Sequence, residues 1–134
     1  MSKSAIYATD TSSNSVAIGG VVPISTVGRR FGCSVGLQNN GVILKERGYY
    51  DVEVNLTATS TVASTATVSL YQDGQPISGA SATVTVGTVG DVISLPLSAL
   101  VRVTGCCCNT SVLTLVVSGQ ALTVTNASIK VEKI

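Results

Sequence analysis

The 134-residue chain contains no histidine and no tryptophan, one phenylalanine and one methionine, and aromatics make up 4% of it. Without histidine there is no Ser-His-Asp or Cys-His catalysis, no imidazole metal ligand and no use of the commonest general base. With so few aromatics, a core built from the 45% apolar residues has to consist of Val, Leu, Ile and Ala, whose branched and small side chains suit pleated sheets. Charge is scarce as well. Asp, Glu, Lys and Arg are 11% of the residues, against ~25% in an ordinary soluble domain, and the mean hydropathy is +0.47. A surface so poor in charge is expected to be covered in part by further copies of the chain. Eight basic and seven acidic residues give a net charge of +1, with no basic stripe of the kind that releases counterions from nucleic acid. No apolar run approaches the ~20 residues of a membrane helix. The start, Met1 to Asp10, has no signal-peptide core, so synthesis and folding in a cytoplasm are expected. Three Asn-X-Ser/Thr triplets, at Asn55, Asn109 and Asn126, are read as chance matches in a chain rich in these residues.

What the sequence does have is period two. From Tyr50 to Ala58 the residues Tyr50, Val52, Val54, Leu56 and Ala58 alternate strictly with Asp51, Glu53, Asn55 and Thr57, as a half-buried strand requires. The pattern returns at 66–71, 82–86 and 127–134. Turn signals separate the runs: Asn39-Asn40-Gly41, Arg47-Gly48, Asp73-Gly74, Gly87 to Gly90, Gly105 and Ser118-Gly119. No stretch carries 3.6-residue periodicity, so essentially no helix is expected. Runs around 5–9, 15–18, 21–27, 31–37, 41–46, 49–59, 65–73, 76–86, 91–103, 111–118 and 122–133 predict about 8 to 10 strands after merging, in one antiparallel jelly-roll sandwich spanning 1–134. The Ser/Thr-rich stretch 57–67 reads as a long hairpin with its tip near 59–64. Residues 1–20 are either a first strand or an attachment arm.

The middle of the chain runs Gly41-Val-Ile-Leu-Lys-Glu-Arg-Gly-Tyr-Tyr-Asp-Val-Glu-Val-Asn-Leu56, then Val68-Ser-Leu-Tyr-Gln-Asp-Gly74, then Gly90-Asp-Val-Ile-Ser-Leu95. Over roughly 40–134 this order resembles the globular heads of the tumour-necrosis-factor and complement-head superfamily. The opening Ile6-Tyr-Ala-Thr-Asp-Thr11, the central Arg29-Arg-Phe-Gly-Cys33 and the element Cys106-Cys-Cys-Asn109 resemble small phage and prophage proteins of the capsid-decoration or head-fibre type. The resemblance implies a homotrimer on a virion surface, made in the bacterial host cytoplasm, with the major capsid protein or another virion protein as partner, and with a host-surface glycan as an alternative partner. The superfamily's animal heads bury Phe and Tyr along the trimer axis, whereas here Val, Leu and Ala have to serve.

Neither a catalytic nor a cofactor or metal constellation emerges, and no enzyme, nucleic-acid or membrane function is expected. Asp51 and Glu53 stand two apart on one strand face, about 7 Å from each other by the strand rise, and read as a solvated pair. Cys33 and the adjacent Cys106, Cys107 and Cys108 have three readings: buried packing, which is preferred; a disulfide from Cys33 to one of the three; or an axial cluster shared between chains through a metal or an inter-chain bond. Adjacent cysteines lack the two-to-four-residue spacing of a zinc site. Arg29, Arg30, Lys45 and Arg47 read first as charges guarding sheet edges against aggregation and second as contacts to an acidic partner. A sugar-binding adhesin is the competing class, and Tyr7, Tyr49, Tyr50 and Tyr71 are its candidate platforms.

Overall fold

The computed structural model describes residues 3–38, 40–104 and 110–134. Among them are twelve strands and no helix: β1 (Ala5–Asp10), β2 (Asn14–Val16), β3 (Thr26–Phe31), β4 (Val35–Gln38), β5 (Gly41–Leu44), β6 (Gly48–Ser60), β7 (Thr65–Gln72), β8 (Gln75–Thr85), β9 (Val92–Ser94), β10 (Leu97–Val103), β11 (Ser111–Ser118) and β12 (Leu122–Lys133). All pairings are antiparallel, and they build two facing sheets. The first runs β10-β6-β12-β1-β3, with β2 beside β12 and β9 beside β6; the second runs β4-β5-β11-β7-β8.

Some of the twelve are pieces of one column. β9 and β10 follow β6 in a single register, Ser94 opposite Thr57 and Leu97 opposite Val54, and are parted at Pro96, which has no N–H to give the ladder. Leu95 still donates to the Leu56 carbonyl at 2.9 Å. β2 also continues β1 along β12, with the register shifted by one residue. Counted by column, each sheet is five strands wide, a jelly-roll sandwich of the expected size.

The alternation read from the sequence is the inside-outside alternation of the sandwich. Tyr50, Val52, Val54, Leu56 and Ala58 of β6 are buried, as are Ala66, Val68 and Leu70 of β7 and Ala127, Ile129 and Val131 of β12. The side chains of β6 and β12 face those of β7 and, beside it in the second sheet, Val42, Leu44, Leu113, Leu115 and Val117 of β5 and β11. Full burial of each such side chain contributes roughly 1.5 to 3 kcal/mol, and Tyr50 is the sole aromatic among the buried core residues described.

The turns are where glycine and Asx chemistry decide. Asp73 and Gly74 take φ of 53° and 82°, the double positive pair of a two-residue hairpin, and they join β7 to β8 within one sheet. At Gly119, where the chain leaves β11 for β12, φ is 84° and a Cβ would lie 2.4 Å from the Thr65 carbonyl oxygen.

Three expectations are corrected. The stretch 57–67 is no hairpin, because β6 and β7 lie in different sheets. The chain crosses between layers there, held by buried Gln120, whose carboxamide accepts from the Val62 N–H at 3.1 Å and donates to the Ser64 carbonyl at 2.9 Å. The strand expected over 21–27 is replaced by Thr26–Phe31, and that over 31–37 shortens to Val35–Gln38. Pro23 interrupts the first run. Val22 and Ile24 are buried as a plug instead, and Gly19 to Val22 add onto β11 beyond the end of β5 through Gly19 N–H to Val117 O, Val117 N–H to Gly20 O and Val22 N–H to Leu115 O. Of the two readings of residues 1–20, the first strand is the one seen over 5–10, where β1 sits inside its sheet between β12 and β3.

Candidate interaction surfaces

The outward face of the first sheet is read off its register. One row holds Leu100, Asp51, Glu132, Ala5 and Phe31, and the next holds Ser98, Glu53, Lys130, Tyr7 and Arg29. The end row pairs Arg102 with Tyr49, beside which Ile134 donates its N–H to the Tyr49 carbonyl at 3.0 Å. Tyr7, Phe31, Tyr49, Leu100 and Ile134 stand exposed here, at 44% to 71%, together with Val92 of β9. Exposed single hydrophobes are ordinary, but five gathered toward one end of one sheet face mark a contact surface, while Val92, opposite Thr59, stands apart near the other end. Tyr7 lies against Gly28, where a Cβ would come within 3.2 Å of the ring.

Asp51 and Glu53 occupy the wet face as read from the sequence. Glu53 pairs with Lys130 at 3.2 Å, and that hydrogen bond, reinforced by the Glu53 charge, raises the Lys130 pKa above its ordinary 10.5.

Arg29 and Arg30 lie exposed on β3, an edge strand, opposite Tyr7 and Ile6 respectively, so successive side chains point to opposite sides of the sheet. Lys45 and Arg47 flank Glu46 in the β5–β6 connection. Glu46 accepts the Ser34 hydroxyl hydrogen bond, and its backbone carbonyl accepts the Tyr50 hydroxyl at 2.7 Å. Burial, the largest effect, raises the Tyr50 pKa above 10.0. Ser34 N–H in turn donates to the Ser4 hydroxyl at 3.1 Å, and Gln72 reaches the Arg102 carbonyl at 3.0 Å.

These bonds and the strand registers bring the start of β1, the end of β12, the start of β6, the ends of β3, β5 and β10 and the β7–β8 turn to one end of the sandwich. All eight basic residues lie in that half: Lys3, Arg29, Arg30, Lys45, Arg47, Arg102, Lys130 and Lys133. So do five of the seven acids. The far half carries only Asp10 and Asp91. Asp10 is buried, accepting from Ser12 N–H, the Asn14 amide and the Ser25 hydroxyl, and the Asp91 carbonyl accepts from Ser60 N–H. The chain is therefore polar end to end, net positive at one end and net negative at the other. Reading the sequence residue by residue missed Arg102, Lys133 and Lys3 as members of that group; the signal available was that each basic residue falls near the same end of an alternating up-and-down strand.

Cys33, expected to pack in the interior, is instead an exposed free thiol in the β3–β4 connection. Cys106, Cys107 and Cys108 lie outside the described residues.

No protein-family model matches the chain, and no curated protein matches it. Solved structures do. The chain is similar to murine APRIL, with a TM-score of 0.75 at 11% identity over 99% of this chain and 100% of that one. It is similar to the globular domain of the zebrafish complement 1qA protein, with a TM-score of 0.69 at 9% identity over 95% and 94%. It is also similar to vertex protein P5 of the phage PRD1, with a TM-score of 0.61 at 12% identity over 98% and 96%. The fold is the tumour-necrosis-factor-like, complement-head-like jelly roll.

Proposed function

We propose that the chain is a non-enzymatic structural module of a phage particle, a homotrimeric capsid-decoration or head-fibre protein on the virion surface, made in the host cytoplasm. The observation that carries the reading is the outward face with Tyr7, Phe31, Tyr49, Leu100 and Ile134 exposed toward one end, in a chain with unusually little charge. The likeness to a phage vertex protein supports the setting, and the short elements at Ile6, Arg29 and Cys106 point the same way. A three-fold ring is a heterologous assembly, in which one patch of each copy meets a different patch of the next. The apolar face supplies one such patch. The β8 edge, whose residues from Gln75 to Thr85 include no charge, supplies a candidate for the other, since an unguarded edge needs a cover. The basic end, with Arg29, Arg30, Lys45 and Arg47, is then the side turned toward an acidic partner such as the major capsid protein.

Light scattering of the purified native chain, with and without reductant, tests the assembly. A mass of three chains that reductant leaves unchanged supports a trimer held without inter-chain disulfides. A monomer overturns it. The second reading, a sugar- or receptor-binding adhesin of a phage or bacterial surface, is favoured by one observation: Tyr7 and Tyr49 are exposed, while Tyr50 is buried.

A further inference from the structure

At the end row of the apolar face, a recess of about 380 Å³ opens between the β5–β6 connection and the end of β10, lined by Arg47, Gly48, Tyr49, Arg102, Val103 and Thr104. Arg102 and Tyr49 are cross-strand partners, and the Arg102 guanidinium lies over the tyrosine ring, 5.8 Å from its centroid. That contact holds the guanidinium at the wall of the recess, so less side-chain freedom is lost when it takes a ligand. Arg47, on the connection entering β6, lines the same recess. Among the described residues neither arginine has an ion-pair partner; the ion pair present there is Lys130 with Glu53.

We infer that this recess binds an anionic saccharide through a sugar carboxylate held by Arg47 and Arg102. The volume falls at the small end of ligand pockets and suits one or two sugar rings. Guanidinium forks match a carboxylate with two parallel hydrogen bonds, and Tyr49 and Thr104 bring hydroxyl groups that suit ring hydroxyls. A continuous polyanion is disfavoured: Asp51 and Glu132 stand on the neighbouring row of the same face, so an extended anion running from the recess across this face meets two carboxylates. The recess is built from the residues of one chain.

The test is titration of the intact chain with a galacturonic acid trisaccharide, with its methyl ester, and with inorganic phosphate, followed by amide chemical shifts at low ionic strength. The expected result is saturable binding of the uronide that weakens at least about tenfold on esterification, which keeps ring and linkage and removes only the charge. Arg47→Gln and Arg102→Gln each weaken it by about tenfold or more. Arg29→Gln, which makes the same change in net charge on β3, leaves it within about twofold. No saturable uronide binding, equal binding of the ester, indifference to both arginine substitutions, or phosphate binding as tight as the uronide each overturns the inference. The trimer reading fails separately, by mass.

Discussion

Gly119 and Thr65 meet where the chain crosses between the sheets: the glycine has a φ of 84°, and a Cβ on it would lie 2.4 Å from the Thr65 carbonyl oxygen. Gly74, in the β7–β8 hairpin, has nearly the same φ of 82° but nothing within 4 Å of that position. The pair separates two costs. Gly74→Ala carries only the penalty of a left-handed conformation, about 1 kcal/mol. Gly119→Ala adds a clash with backbone that cannot move without opening the crossing, so its loss should exceed that of Gly74→Ala by about 2 kcal/mol or more. Urea denaturation of both variants measures the difference, and equal losses would show that the crossing yields.

Gln120 closes the other side of that crossing, accepting from Val62 N–H and donating to the Ser64 carbonyl. It is 3% exposed, so Gln120→Ala leaves two backbone groups without a partner in a site that water reaches poorly. A loss of about 2 to 3 kcal/mol is expected. Gln120→Glu keeps the acceptor but brings a carboxylate against the Ser64 carbonyl, and should be at least as damaging at neutral pH and partly rescued at acid pH, where the protonated form regains the donor.

The crossing also marks how far the fold was legible. The alternation from Tyr50 to Ala58 fixed which side chains of β6 are buried, because a period of two leaves no other face. Asp73-Gly74 announced its hairpin for a similar reason: few residues tolerate two successive positive φ angles. Whether a turn stays in one sheet or steps to the other is not written in the turn, and 59–64 was read as a hairpin for want of the long-range partner, Gln120. The run 21–24 misled in another way, since Val22 and Ile24 are as apolar as any strand but plug the core beside Pro23. At the candidate sites, Arg29, Arg30, Lys45 and Arg47 were visible as charges. Their meeting with Arg102 and Lys133 depends on antiparallel register, which single residues do not carry.

Stability should be flat in pH from about 6 to 9 and fall above about 10. The chain has no histidine, and the two groups whose proton affinity the fold clearly shifts both titrate high. Lys130 has a raised pKa, so its contribution is fully present below 10.5 and lost as pH rises through the raised value. Burial, first of all, keeps the Tyr50 phenol neutral above 10.0, while the unfolded chain ionises there, so stability again falls with rising pH. Tyr50→Phe should cost about 1 kcal/mol at pH 7 by losing the bond to the Glu46 carbonyl and should flatten part of the alkaline fall. Thermal melting of both proteins from pH 6 to 11 checks the sign; a steep change between 6 and 9 would contradict it.

The apolar face predicts a separation of assembly from folding. Leu100 is 60% exposed and Phe31 58%, so replacing either by a charged residue removes little that the single chain buries, and each variant alone should shift the melting point of the isolated fold by less than about 0.5 kcal/mol equivalent. In the trimer the same side chains are covered, and a carboxylate placed there loses its hydration without gaining a partner. Leu100→Glu and Phe31→Glu should therefore yield folded monomers by light scattering and circular dichroism. Thr83→Glu, on the uncharged β8 edge, should do the same if that edge is the opposing patch, and two non-overlapping surfaces giving one phenotype is what a heterologous ring requires. Retention of the three-chain mass in the Leu100 and Phe31 variants would move the contact away from this face, and loss in the Thr83 variant alone would place it at the β8 edge, where an isologous dimer becomes the simpler assembly.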